Sequence, residues 1–182
     1  MLIIIRLKRM IWMQILLIRH GESEDDFLEQ NDNGSTDLPL TPNGLLQSEK
    51  MAQRVSKEFP PDFVWSSTLK RASGTADVLS KTIGCPVHYI DQLIEQQDSE
   101  SNHEFRMRAE SVLSYIRENS KAYSTIAVIT HGGMITKIME SFLHLPIENN
   151  NWFHTNNTGI HFLDYYKEMQ IIKFANSTSH LD

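Results

Sequence analysis

Met13-Gln14-Ile15-Leu16-Leu17-Ile18-Arg19-His20-Gly21 is the stretch on which the reading of the chain turns. Apart from Gln14, residues 13–18 are continuously apolar, and a polar loop follows at once. A short apolar run bounded in this way reads as a strand covered on both faces. Thr125-Ile126-Ala127-Val128-Ile129 has the same character and is rich in β-branched residues, as expected of a central parallel strand. Phe63-Val64-Trp65 and Val87–Ile90 read as shorter strands, and 158–163 and 169–174 as a closing hairpin turning near 165–168.

Helices are expected between these strands. Thr41-Pro42 offers an N-cap and a first-turn proline, and the helix runs to Glu58, where Pro60-Pro61 stops it. Ser66, Ser67 or Thr68 is expected to cap a second helix ending near Gly84. Helices follow at 105–118 and 133–143. The intervening stretches 21–43, with Asn33-Gly34, and 91–104 are polar loops. Alternation of this kind implies one α/β domain, a three-layer sandwich with a mostly parallel central sheet and helices on both faces. That domain is expected to span 13–182. Residues 1–12 read either as a short amphipathic extension or as an over-long start, with Met13 beginning the protein.

Composition narrows the function. The chain has 182 residues, 40% hydrophobic and 22% charged, which describes one globular domain able to bury a full core. A formal net charge of −6 without a long basic run argues against nucleic acid as a partner. The single cysteine, Cys85, excludes an internal disulfide and any cysteine-based metal site, and fits a reducing cytoplasm. Arg6, Lys8 and Arg9 interrupt the apolar start, so neither a membrane span nor membrane contact is expected. Nothing in the sequence speaks to oligomeric state.

In open α/β sheets, functional groups collect at the carboxyl ends of the strands. Four groups stand there. Arg19-His20-Gly21 follows the first strand; a guanidinium there can clamp phosphate oxygens, and Gly21 can let the backbone approach an anion. Arg71 follows the second strand as a second candidate clamp. Glu95 follows the third. Thr130-His131-Gly132-Gly133 follows the fourth and opens a helix whose first N–H groups can meet an anion. Taken singly, each has a plainer reading as a loop histidine, a surface charge, a solvated carboxylate or a helix cap. Two His-Gly units and two strand-end arginines together are hard to explain by packing.

Arg19-His20-Gly21-Glu22-Ser23 resembles the signature of the histidine phosphatase superfamily, which includes cofactor-dependent phosphoglycerate mutases and many small phosphatases. The similarity continues in the family's order through Leu40-Thr41-Pro42-Asn43-Gly44, Ser67–Ala76, Leu93-Ile94-Glu95 and Val128–Gly133. The resemblance implies a metal-free and cofactor-free phosphatase acting on a small phosphorylated substrate. It further implies a nucleophile at His20, a general acid at Glu95, and phosphate binding by Arg19, Arg71 and His131. Gly21 and Gly132 complete the expected substrate-binding set. The chain departs at Asp26, where many relatives carry an asparagine that helps hold phosphate. The alternatives are mutase-type phosphotransfer and an inactive module that only holds phosphorylated ligands.

Overall fold

The computed structural model describes residues 12–27, 37–167 and 169–182. Most of the expected extension, residues 1–11, lies outside them, as do Asn33-Gly34 and one residue of the hairpin turn. Among the described residues, six strands form one sheet: β1 (Trp12–Arg19), β2 (Phe63–Ser67), β3 (Val87–Ile90), β4 (Thr125–Thr130), β5 (Ile160–Tyr166) and β6 (Met169–Ser177). The order is β3-β2-β4-β1-β5-β6. The first four are parallel; β5 and β6 add an antiparallel edge. The helices are α1 (Pro42–Glu58), α2 (Lys70–Ile83), α3 (Asn102–Asn119) and α4 (Gly132–Phe142).

Strand parity divides the core in two. Ile15, Leu17, Ile126 and Val128 pack with Phe105, Leu113, Ile135 and Met139 of α3 and α4. Leu16, Ile18, Ala127 and Ile129 pack with Met51, Val55, Ala76 and Leu79 of α1 and α2. Successive side chains of a strand point to opposite faces, so an unbroken apolar run serves both layers. Ile15 to Ile18 are all fully buried, and each such side chain contributes about 1.5–3 kcal/mol.

Several boundaries differ from the sequence reading. β1 also takes in Trp12, which pairs with Tyr166. α3 starts at Asn102 rather than 105, because Ser101 and Glu104 form a reciprocal capping box. α2 is not capped by Ser66, Ser67 or Thr68: its N-cap residue is Leu69, and the Lys70 N–H donates to the distant Asp37 carboxylate at 2.6 Å. β6 runs on to Ser177 and β5 begins at Ile160. No helix among the described residues is long and apolar enough to cross a membrane.

Candidate active site

The carboxyl ends of the parallel strands open onto a cavity of about 540 Å³, on whose wall Arg19, His20, Arg71, Glu95, His131 and Gly132 all lie. β1 and β4 are in register from Gln14 against Thr125 to Arg19 against Thr130. The His20 N–H donates to the Thr130 carbonyl at 3.0 Å. This pairing sets the two imidazoles 5.0 Å apart, centre to centre.

His20 is 4% exposed. Its Nδ1 lies 2.7 Å from the Gly21 carbonyl; a carbonyl only accepts, so Nδ1 carries the hydrogen and Nε2 the lone pair. Burial above all, then the Arg19 and Arg71 guanidiniums, drive the imidazole down to about 3, against the Gly21 hydrogen bond and the Asp26 charge. The ring is therefore neutral at physiological pH. Burial, and then His20, Arg71 and Arg19, hold His131 well below its ordinary value too. His131 Nε2 is 2.9 Å from Ser67 Oγ, which also accepts from the Leu69 N–H. His131 Nδ1 is a buried atom with no protein partner. Arg19 Nε is likewise buried and unpartnered. Such orphaned polar atoms call for a ligand.

The arginines are aimed by other groups. Arg19 Nη1 donates to the Thr155 carbonyl at 2.9 Å and Nη2 to Asp26 Oδ1 at 2.7 Å. Arg71 Nη1 donates to Asp25 Oδ2 at 2.8 Å. The acidic run thus lies directly against the cationic wall. The second Asp26 oxygen accepts from the Ser23 N–H at 2.9 Å and the Asn157 amide at 3.1 Å. Burial pushes this carboxyl up, but the Ser23 N–H, Arg19, His20 and Asn157 outweigh it and hold it below its ordinary value.

Two expectations change. Gly21 does not lie on the cavity wall. Its N–H donates to Thr75 Oγ1 at 3.0 Å, and a Cβ there would stand 2.4 Å from the Gly44 carbonyl oxygen. The glycine therefore lets the His20 loop sit on the first turn of α1. Two of the first N–H groups of α4, those of Gly133 and Met134, are also spoken for. Glu95 Oε2 accepts from Gly133 at 2.9 Å, and Oε1 accepts from Met134 at 3.1 Å and from Gln96 at 2.9 Å. The anion at that helix end is a side chain of the protein itself. A Cβ at Gly133 would come within 2.4 Å of Glu95 Oε1.

The segment from Thr155 to Gly159 was not singled out from sequence. The Arg19 N–H donates to the Gly159 carbonyl, and the Thr158 N–H is shared between the Arg19 and His20 carbonyls at 3.1 and 3.2 Å. Thr158 holds φ 55° to do so, a left-handed conformation that β-branched residues avoid. Backbone donors leave no signature in residue type, so only Asn157 and the two threonines offered a hint. Among the described residues, no three metal-ligating side chains converge.

With this geometry in hand, relatives can be compared. The model of the histidine phosphatase superfamily (branch 1) matches residues 15–98 and 94–178. "Probable phosphoglycerate mutase GpmB" of Escherichia coli O139:H28 is 24% identical, over 93% of this chain and 95% of that protein. The phosphoserine phosphatase of Entamoeba histolytica in complex with 3-phosphoglyceric acid superposes with a TM-score of 0.81 at 24% identity, covering 93% of this chain and all (100%) of that one. The alpha-ribazole phosphatase of Shigella flexneri gives 0.75 at 21% identity, covering 91% and 97%. Family model, fold and the order of the strand-end residues agree: the chain belongs to the histidine phosphatase superfamily.

Proposed function

We propose that the protein hydrolyses phosphomonoesters through a phosphohistidine on His20. The observation that carries this reading is the neutral His20 imidazole, its Nε2 lone pair available, on one cavity with Arg19, Arg71 and His131. Nε2 attacks phosphorus, the N–P bond forms, and the bond to the leaving oxygen breaks. Glu95 gives that oxygen a proton, for which it must turn one carboxyl oxygen away from α4. Water then attacks the phosphohistidine and returns a proton to Glu95. The guanidiniums and the His131 N–H stabilise the equatorial oxygens as charge spreads over them. Neither a metal nor a cofactor enters these steps.

The test is brief mixing with a labelled phosphomonoester, followed by acid and base treatment. An acid-labile, base-stable label on the wild type, absent from His20→Ala together with turnover of p-nitrophenyl phosphate, is the expected result. Label that survives in His20→Ala, or a rate abolished by chelator, overturns the reading. Binding without turnover would identify an inactive phospho-ligand module. The name of the GpmB relative favours mutase chemistry as the second reading. A mutase hands the label to a phosphoglycerate acceptor, a hydrolase to water. Residues 96–101 lead straight into α3, leaving little chain there to enclose a bisphosphate; this supports hydrolysis.

A further inference from the structure

The cavity that holds His20, Arg19 and Arg71 is also lined by Trp152. Isolated exposed apolar side chains are ordinary on a protein surface. Trp152 differs from them in two respects. It is 65% exposed yet lies on the same wall as His20. It also stands on an anchored segment. Its neighbour Phe153 packs into the core on the α3–α4 side of the sheet, and the Phe153 carbonyl accepts from the Thr136 and Thr155 hydroxyls at 3.3 and 3.2 Å. The Thr155 carbonyl in turn holds Arg19. The backbone that follows Trp152 is therefore tied, through Phe153 and Thr155, to Arg19 on the same cavity.

Gln96 and Asn102 share this cavity. Gln96 Nε2 donates to the Glu100 carbonyl and to Asn102 Oδ1 at 3.0 and 3.2 Å, which ties the two side chains together on the cavity lining. An indole with polar side chains on the same lining suits a flat ring with hydrogen-bonding edges. Building on the hydrolase reading, we propose that Trp152 is a stacking platform for a planar heteroaromatic group carried by the leaving alcohol of the substrate.

The matched probes are adenosine 5′-monophosphate and ribose 5-phosphate, which present the same primary phosphoester with and without a heteroaromatic base. The wild type is expected to favour the nucleotide by about tenfold in kcat/KM, mostly through KM, in line with stacking of a base on an aromatic side chain. Trp152→Ala should bring that ratio to about one, and Trp152→Phe should keep most of it. A ratio near one in the wild type, or one that Trp152→Ala leaves unaltered, overturns the proposal. Titration of His20→Ala with adenosine 5′-monophosphate separates this from failure of the hydrolase reading. Quenching of tryptophan emission that Trp152→Phe removes supports the platform even without turnover; no quenching in either protein sinks it.

Discussion

The two ends of the catalytic cavity neutralise charge by different means. At the β1 end, the Arg19 and Arg71 guanidiniums are met by side chains, Asp26 and Asp25. At the β4 end, the Glu95 carboxylate is met by backbone N–H groups at the start of α4. Side-chain pairs can part when a better anion arrives, whereas a helix terminus cannot turn away. The first end is thus built for exchange of one anion for another, and the second for seating one carboxyl group, which the proposed mechanism needs to release one oxygen from α4 and then return it. On the proposed mechanism phosphate has to compete with Asp25 and Asp26 for the two guanidiniums, and the affinity of the site is expected to fall below what two bare arginines would give.

The sharpest way to break the comparison is Arg71→Ala. It should lower kcat/KM for p-nitrophenyl phosphate by about 10²–10³-fold, the loss expected from one transition-state donor, with a thermal melt to confirm the fold. At the other end, Gly133→Ala should drive Glu95 off its seat. The expected result is a kcat roughly 10²-fold lower for alkyl phosphates, whose leaving oxygen needs a proton, and a smaller loss for p-nitrophenyl phosphate. Equal losses would mean that Glu95 only caps α4.

Asp26→Asn tests exchange directly. Removing one negative charge beside Arg19 while keeping hydrogen-bonding capacity should tighten inhibition by inorganic phosphate about tenfold, since unit charges a few ångströms apart interact by a few kcal/mol at an effective dielectric near 20. Asp26→Ala, which frees Arg19 from its anchor, should weaken that inhibition. If both variants weaken it, Asp26 serves arginine placement alone. The smallest effect concerns His161, buried behind the clamp, where Nε2 meets Thr155 Oγ1 at 2.8 Å. Burial drives its pKa down to about 4. Between that value and the unfolded value near 6.5, the unfolded chain binds a proton that the folded one does not, so stability falls as pH falls, by about 1.4 kcal/mol per unit. Urea unfolding of His161→Gln over pH 6.5 to 4 should show a slope smaller by about one proton.

The parts of this arrangement legible from sequence share a cause. The apolar runs of β1 and β4, and the His-Gly units after them, announce themselves because burial on both faces admits few residue types. The capping box that starts α3 lies among the polar residues 91–104, where Ser101 and Glu104 look like ordinary loop residues. Asp37 reaching the start of α2 is a contact between residues 33 apart in sequence, which local pattern does not encode. The Thr155–Gly159 brace works mainly through carbonyl and N–H groups common to all residues. The sequence places Arg19 and Arg71 at strand ends, but not Asp25 and Asp26 against them, because ion pairing depends on where a 3-10 turn at Glu24–Phe27 carries its side chains.

The parity of β1 reaches beyond packing. Alternate residues of this strand belong to different helix layers, and the next two positions after Ile18, Arg19 and His20, are the proposed clamp and nucleophile on the cavity. The strand therefore acts as a ruler with two scales. Deleting a single residue from its middle would send each apolar side chain beyond the cut toward the opposite layer and bring the imidazole to the station of the guanidinium. Length in this stretch is constrained more tightly than identity: a leucine exchanged for an isoleucine leaves the chemistry in place, while a shift of one step removes it.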